Sequence, residues 1–246
     1  MTNTFPLNPI INPAFTARQH ARPAYARLPR APLNGSPVPH LTSLYHHHRA
    51  GDYGDRSYPG NCGGNLIKDL LHYFKPECVF DPMSGSGTAR DVCKELGVAC
   101  HATDLKANFD ATNPDAYREL GLYDFIWAHP PYWRQKIYSQ SPRDLSQCKT
   151  LDDFLHRYGQ FIQSCADILS PNGKFAILMG DYSDREAGFV PLTYYTKQLA
   201  FKAGLTQHCT DIIRFSHGAS SSRKIYRSSF IPGLHDTCMI FEKEEG

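Results

Sequence analysis

The chain has 246 residues, enough for one substantial hydrophobic core, and its formal net charge of +2 does not by itself indicate a partner. No apolar run approaches the roughly 18 residues of a membrane span, and no signal pattern is present, so we expect no membrane association. The eight cysteines form no Cys-x-x-Cys pair. We therefore predict free thiols in a reducing cytoplasm rather than a disulfide framework.

Residues 1–50 differ in composition from the rest of the chain. They contain five Arg, no Lys and no acid, so they carry +5 and the remainder carries +2 − 5 = −3. They also hold eight of the eighteen prolines. This composition predicts an extended arm before a single domain over 51–246. Its arginines fit contacts with a phosphate backbone or a solvated tail equally well. The adjacent residues His46–His48 lack a neighbouring Cys or acid, so we predict no metal site.

Strand and helix patterns alternate along the rest of the chain. Apolar residues at helical spacing predict helices, and short apolar runs bounded by turn residues predict strands. The predicted helices cover 64–74, 88–96, 151–169 and 190–203, and the predicted strands cover 78–81, 98–103, 123–128, 174–179, 206–215 and 237–242. This alternation predicts an α/β fold.

A glycine-containing loop joins the first of these strands to a helix. The strand ends at Asp81, Gly85 and Gly87 permit a tight turn, and Thr88 opens the helix. A strand, bare-backbone loop and helix N-terminus can bring main-chain N–H groups close to a ligand, although such a loop can also be a simple turn. No Lys follows the glycines as a phosphate-binding P-loop requires.

A carboxylate follows the next strand. Asp104 lies 17 residues past Gly87, where doubly wound folds bind the two hydroxyls of a ribose. The alternative is an Asp that only caps a turn. The loop and this acid together favour a nucleoside site.

The strand over 123–128 runs into the sequence His129-Pro130-Pro131-Tyr132. The two prolines predict a rigid, extended turn and leave the Pro130 carbonyl without a strand partner. Tyr132 and the following Trp133 are expected to present ring faces at the ligand crevice.

These motifs, in this order, resemble the amino-methyltransferases of DNA, which methylate adenine N6 or cytosine N4. The run 81–88 resembles their cofactor motif, and 129–132 resembles their catalytic tetrapeptide, which usually begins with Asp, Asn or Ser. The sequence 178–181 resembles a strand end of many cytosine-N4 members. The resemblance covers about 58–243, and it implies that 51–246 is a methyltransferase domain.

The resemblance implies S-adenosylmethionine as cofactor. It also implies a Rossmann-like class I methyltransferase fold, with a seven-stranded, mostly parallel sheet, helices on both faces and an antiparallel last strand. Asp104 matches the ribose-binding acid, and Asp110 is carried over as the residue that binds the adenine amino group. The implied cofactor-binding residues are Tyr58, Pro59, Asp81, Pro82, Met83, Gly85, Ser86, Gly87, Thr88, Asp104 and Asp110.

The implied catalytic residues are His129, Pro130, Pro131 and Tyr132. An exocyclic amine is a poor nucleophile because its lone pair is delocalised, so the site must accept both of its hydrogens. The Pro130 carbonyl can accept one, and neutral His129 can accept the other, whereas protonated His cannot. Tyr132 would stack on a base flipped from the duplex. No Pro-Cys pair is present, which disfavours covalent chemistry at cytosine C5.

The expected partner is DNA, held mainly by basic segments after the catalytic motif and near the C-terminus. The candidate residues are Trp133, Arg134, Lys136, Arg214, Arg223, Lys224 and Arg227. Two alternatives remain open: an RNA base methyltransferase, and an inactive protein that binds cofactor and nucleic acid. The sequence leaves open the target base, the recognition site, the oligomeric state and any restriction partner.

Overall fold

The computed structural model describes residues 32–47, 49, 51–215, 231 and 233–244. Their helices are Asn65–Phe74 (α1), Thr88–Leu96 (α2), Leu151–Asp167 (α3) and Leu192–Lys202 (α4). Their strands are Leu44–Tyr45 (β1), Cys78–Asp81 (β2), Ala99–Ala102 (β3), Tyr123–Ala128 (β4), Leu169–Met179 (β5), Tyr182–Asp184 (β6), Gly188–Val190 (β7), Thr206–Gln207 (β8), Ile212–Arg214 (β9) and Asp236–Glu242 (β10). None of these helices has the length and apolar run that crossing a bilayer requires.

In the described part of the chain, eight strands form one central sheet in the order β1-β9-β10-β5-β4-β2-β3, and β8 also pairs with β10. β3, β2, β4 and β5 run parallel to one another. β10 is antiparallel to both of its neighbours, β5 and β9. The predicted mostly parallel α/β sheet with an antiparallel last strand is therefore confirmed.

Helices cover both faces of the sheet because the central strands are apolar on both sides. Phe80 and Ile126 face one core, which is completed by α3 and α4. Val79 and Phe125, one residue earlier in the same strands, face the other core with α1 and α2. This alternation follows from the two-residue period of a strand. Both faces are therefore buried, as in other parallel sheets.

Two predicted boundaries are wrong. The helix predicted over 151–169 ends at Asp167, and β5 begins at Leu169 instead of at 174, so 171–173 lies within β5. There the register with β4 shifts, and Asn172 adopts a positive φ of 62°. The single strand predicted over 206–215 is instead the two short strands β8 and β9, both paired with β10.

Part of the predicted N-terminal arm joins the sheet. β1 lies within residues 1–50 and pairs in parallel with β9. Tyr45 is 2% exposed, and its hydroxyl donates a 2.6 Å hydrogen bond to Asp69 of α1. These contacts hold Leu44 and Tyr45 against the sheet edge.

The sheet brings the chemically important residues to one edge. The parallel strands β2, β4 and β9 end at Asp81, Ala128 and Arg214. β10, which runs the other way, begins at the same edge with Asp236. Ligands of open α/β sheets bind beyond the carboxyl ends of the strands, so this edge is where a site is expected.

Candidate active site

A cavity of about 240 Å³ opens at this edge of the sheet. Ten of the eleven sequence-predicted cofactor residues, all except Gly87, line it. His129 and Pro131 line the same cavity. One cavity thus joins the predicted cofactor motif to the predicted catalytic motif.

The loop after β2 exposes main-chain groups because two of its glycines have positive φ. Gly85 has φ 46° and Gly87 has φ 79°, and Gly87 is also the residue that precedes α2. Gly87 does not line the cavity, so its role is to turn the chain. Asp81 ends β2, is 2% exposed and accepts a 3.2 Å hydrogen bond from the Met83 N–H. Burial raises the pKa of its carboxyl to about 8, so the group is largely protonated at pH 7.

Gly85 is required at its position by a close neighbour as well as by its backbone. A Cβ added there would lie 2.9 Å from the ring of Tyr58. Tyr58 in turn stacks on Tyr138, with ring centroids 6.0 Å apart, and the Lys106 ammonium lies 4.6 Å from the Tyr58 ring centroid. The two tyrosines form an aromatic wall beside the loop.

Asp104 connects the end of β3 to the glycine loop. Its Oδ2 accepts a 3.0 Å hydrogen bond from the Gly85 N–H, and its Oδ1 accepts one of 3.1 Å from the Lys106 N–H. The residue therefore caps the short helical turn Leu105–Ala107, which was the alternative interpretation of the sequence. It also lines the cavity, so capping does not remove it from the site.

Asp110 stands farther along the same wall of the cavity. Its Oδ1 accepts hydrogen bonds from the Thr112 N–H at 2.9 Å and the Thr112 hydroxyl at 2.8 Å. These bonds fix the orientation of the carboxylate beside the ring of Phe109, which also lines the cavity. The pair offers an acceptor next to an apolar surface.

His129 follows β4 and reaches the cavity with a neutral side chain. Burial, together with the positive charge of Arg214, lowers the pKa of the imidazole to about 4. Its Nε2 lies 3.0 Å from the Tyr132 hydroxyl. If Nε2 donates to that oxygen, the lone pair of Nδ1 remains available to accept a hydrogen. The site can therefore supply the neutral acceptor that the predicted chemistry requires.

Tyr132 packs differently from the expectation. Its ring lies against Gly180, where an added Cβ would come within 2.7 Å of Cε2. Burial holds its pKa well above the usual range, so the phenol is neutral. Tyr132 and the buried Pro130 do not line the cavity. The Tyr132 hydroxyl contacts His129 instead, and stacking on a base stays a prediction.

Trp133 was expected at the crevice, and this expectation is wrong. The indole is 2% exposed and packs in the core on the α3 face. Its Nε1–H donates a 2.8 Å hydrogen bond to the Cys148 carbonyl. Because the polar atom of the ring is satisfied internally, the whole side chain can be buried.

The expected phosphate contacts of Arg134 and Arg214 are also wrong, because both side chains form ion pairs within the chain. Arg134 makes a bidentate ion pair with Asp184 and a further one of 2.8 Å with Glu186. Arg214 is buried and paired with Asp236. Lys136 is exposed and fits a surface contact. Arg223, Lys224 and Arg227 lie outside the described residues.

One wall of the cavity was not predicted from the sequence. The basic segment 134–149 was expected to contact nucleic acid, yet residues within 138–145 line the cavity: Tyr138, Ser139, Ser141, Arg143, Asp144 and Leu145. Asp144 is buried, and it accepts hydrogen bonds from the Ser146 N–H at 2.8 Å and the Ser139 hydroxyl at 2.9 Å. The sequence signal for such a structured turn was the Asp-x-Ser spacing, which is typical of an Asx turn.

Among the described residues, no group of three or more His, Cys, Asp or Glu side chains could hold a metal ion. The polar groups that line the cavity include carboxylates, main-chain groups and an imidazole. These groups can bind a nucleoside and accept hydrogens from an amine.

No protein-family model matches the chain, and no curated protein matches it. Several solved structures are similar in fold. A Thermus thermophilus protein, named by inference as a DNA modification methylase and solved with S-adenosyl-L-methionine, is 17% identical over 56% of this chain and 54% of its own, with a TM-score of 0.40. TrmN from Thermus thermophilus is 17% identical over 72% of this chain and 48% of its own, with a TM-score of 0.37.

The N-methyltransferase NodS from Bradyrhizobium japonicum is 13% identical over 74% of this chain and 81% of its own, with a TM-score of 0.37. The chain spans about half the length of the two Thermus proteins. Similarities of this size carry no information about activity or substrate.

Proposed function

We propose that this chain is an S-adenosylmethionine-dependent methyltransferase whose substrate is an exocyclic amino group of a base in DNA, either adenine N6 or cytosine N4. One observation carries the proposal. The Gly85–Asp104 pair and His129 line a single cavity at the carboxyl edge of the sheet. A loop of the type that can bind a nucleoside and a group that can accept a hydrogen thus share one space.

The chemistry of the cavity fits the cofactor. Asp104 would accept hydrogen bonds from the ribose hydroxyls. Asp110 would accept a hydrogen bond from the adenine amino group, and Phe109, which also lines the cavity, would offer an apolar surface. Tyr58 and Pro59 would lie against the methionine end. The bound cofactor supplies an activated methyl group on a sulfonium, so the protein has mainly to bind, orient and exclude water.

The catalytic motif would prepare the amine. The neutral imidazole of His129 would accept one amine hydrogen through Nδ1, while the Tyr132 hydroxyl keeps Nε2 in place. Pro130 itself does not line the cavity, so its carbonyl would accept the second hydrogen from a base that extends beyond the cavity. Both acceptors together would direct the nitrogen lone pair away from the base and towards the methyl group.

The choice of DNA over RNA rests on the resemblance of the 81–88 and 129–132 motifs to DNA amino-methyltransferases. Arg134 and Arg214 form ion pairs within the chain and are no longer candidate phosphate contacts. The remaining candidates are Lys136 and the segment that contains Arg223. Nucleic acid binding by this segment would depend strongly on salt.

The test uses the full chain purified from a host without DNA methylation. The protein is incubated with tritiated S-adenosylmethionine and, in separate reactions, unmethylated duplex DNA, bulk RNA or protein. We expect label in DNA, and hydrolysis followed by mass spectrometry should identify N6-methyladenine or N4-methylcytosine. Label found only in RNA would identify RNA, instead of DNA, as the substrate. Cofactor binding without transfer to any of the three would identify a binding protein and overturn the proposal.

A further inference from the structure

A buried ion pair lies at the edge of the sheet beside the candidate catalytic residues. Arg214 ends β9, Asp236 begins β10, and the two residues are direct partners in the antiparallel register. Their side chains are only 7% and 17% exposed. Arg214 also donates a 3.0 Å hydrogen bond from Nη1 to the carbonyl of Cys62. A guanidinium is seldom buried at this depth without a role in fold or function.

The Arg214 guanidinium is not fully hydrogen-bonded within the described residues. Its Nε is buried and has no hydrogen-bond partner among them. A buried donor without a partner is energetically costly, so its retention calls for an explanation. Because little water reaches the guanidinium, its field is screened less than that of a surface arginine.

Contacts connect this pair to His129. Gly180 lies between Asp236 and Tyr132. A Cβ added at Gly180 would lie 3.2 Å from Oδ1 of Asp236 and 2.7 Å from the Tyr132 ring. The Tyr132 hydroxyl is 3.0 Å from Nε2 of His129. On the other side, Cys62, whose carbonyl holds Arg214, lines the cavity together with His129.

We propose that Arg214 is a positioning residue that keeps the His129 imidazole neutral, and that Asp236 holds the guanidinium in place while opposing its field. The role of the neutral imidazole rests on the function proposed above. A second positive charge near the guanidinium is disfavoured, so the neutral ring persists under conditions in which an exposed histidine would be protonated.

Three titratable groups that contact His129 or line the same cavity are largely uncharged near pH 7. Burial raises the pKa of Tyr132, of Cys62 and, to about 8, of Asp81. Tyr132 belongs to the same loop as His129, Cys62 to the segment before α1, and Asp81 to the neighbouring strand β2. None of the three adds a full charge beside the imidazole.

Arg214 and Asp236 act on the imidazole in opposite directions. The pKa of His129 is lowered first by burial and next by Arg214, while Asp236 raises it. Removing the positive charge should therefore raise the pKa of His129, and removing the negative charge should lower it. These opposite shifts of the His129 pKa distinguish an electrostatic role from a loss of packing, because a packing defect would not depend on the sign of the charge removed.

The test is an NMR titration of histidine Cε1–H signals in the full chain, with the His129 signal assigned by its absence in His129→Asn. Arg214→Met removes the charge and keeps the aliphatic stem, Arg214→Lys keeps the charge, and Asp236→Asn keeps the shape of the side chain. Lys197→Met is the matched control, because it removes a cation that pairs with Asp211. The titration needs neither cofactor nor substrate, so its result is independent of whether the chain transfers methyl groups.

We expect Arg214→Met to raise the pKa of His129 by about 1 unit or more, the scale of a close charged neighbour. Arg214→Lys and Lys197→Met should leave it near the wild-type value, and Asp236→Asn should lower it. An unchanged pKa in folded Arg214→Met, or an equal rise in Arg214→Lys, overturns the proposal. If Arg214→Met does not fold, Asp236→Asn decides: a lower pKa supports the proposal, and an unchanged or higher one overturns it.

Discussion

The N–H of Gly85 donates a 3.0 Å hydrogen bond to the carboxylate of Asp104. This bond joins the loop after β2 to the end of β3, so two separate sequence motifs become one wall of the cavity. The carboxylate is held in place before any ligand arrives. Such preorganisation reduces the ordering that binding must impose.

Replacing Asp104 tests its place in the cofactor site. Asp104→Ala should weaken S-adenosylmethionine binding by roughly 1–3 kcal/mol, because it removes an acceptor for buried hydroxyl groups and frees the loop. Isothermal titration calorimetry measures the change. Asp115→Ala is the control, since Asp115 is largely exposed and pairs only with Arg118 among the described residues. Equal affinity in wild type and Asp104→Ala would remove Asp104 from the site.

Two glycines with positive φ provide a matched test of the loop. Gly85→Ala brings a Cβ within 2.9 Å of the Tyr58 ring, whereas Gly97→Ala, at φ 70°, meets open space. Both variants should lose about 1–2 kcal/mol of stability through backbone strain, measured by denaturant unfolding. Gly85→Ala alone should also weaken cofactor binding in calorimetry. If both variants bind cofactor equally well, contact with Tyr58 does not shape the site.

The protonation of His129 sets the expected pH dependence. Because the folded-state pKa is lowered to about 4, the neutral acceptor persists through pH 6.5 and is lost as pH falls through about 4. An exposed histidine has a pKa near 6.5, so control by such a residue would instead give a loss of activity near that pH. The kcat–pH profile, measured with the DNA substrate, should stay flat through pH 6. An acidic limb near 6.5 would contradict a buried, neutral imidazole.

Substitution separates the role of His129 in transfer from cofactor binding. His129→Ala should nearly abolish methyl transfer while calorimetry shows unchanged S-adenosylmethionine affinity, since the ring would contact substrate. His129→Asp restores an acceptor typical of the resembling family and should keep or raise activity. Full activity of His129→Ala would leave the Pro130 carbonyl as the acting group. If wild type is inert and His129→Asp is active, the natural chain is a binding protein.

A charge test addresses nucleic acid binding. Replacing Arg223, Lys224 and Arg227 together with Ala should flatten the dependence of DNA affinity on salt, because fewer counterions are released. Fluorescence anisotropy at several salt concentrations gives the slope. The control variant replaces Arg56, Lys94 and Arg118, three exposed cations of the described residues, so its net charge is the same as that of the test variant. An unchanged slope in the test variant would identify the segment as a solvated loop.

The sheet could be predicted from sequence because its signals are local. β2 ends at Asp81 and is followed by Pro82, and β4 ends at Ala128 and is followed by His129-Pro130; proline cannot continue a ladder. Asp104 followed from its spacing after the glycine loop. Local composition and spacing are therefore sufficient to predict the edge of the sheet at which the cavity lies.

The burial of Trp133 and Arg214 could not be predicted in the same way. The Cys148 carbonyl accepts from the indole, and Asp236 pairs with the guanidinium, yet both partners are distant in sequence. Without those partners, aromatic and basic residues near a site are assigned to the surface.

The cavity wall over 138–145 was missed for a related reason. The segment has no helical or strand period, and α3 holds it through Arg157, whose Nη1 donates a 3.1 Å hydrogen bond to the Pro142 carbonyl. An irregular segment gains its shape from such distant contacts, which a sequence pattern does not display.

The parallel pairing of Leu44 with Ile213 also bears on the order of events during synthesis. β1 leaves the ribosome long before β9 exists, so it cannot take its place until nearly the whole sheet has been made. Until then, Tyr45 has no sheet to cover it. A shortened gene that begins at residue 51 would leave β9 as an unpaired edge, and self-association of the product is the expected result.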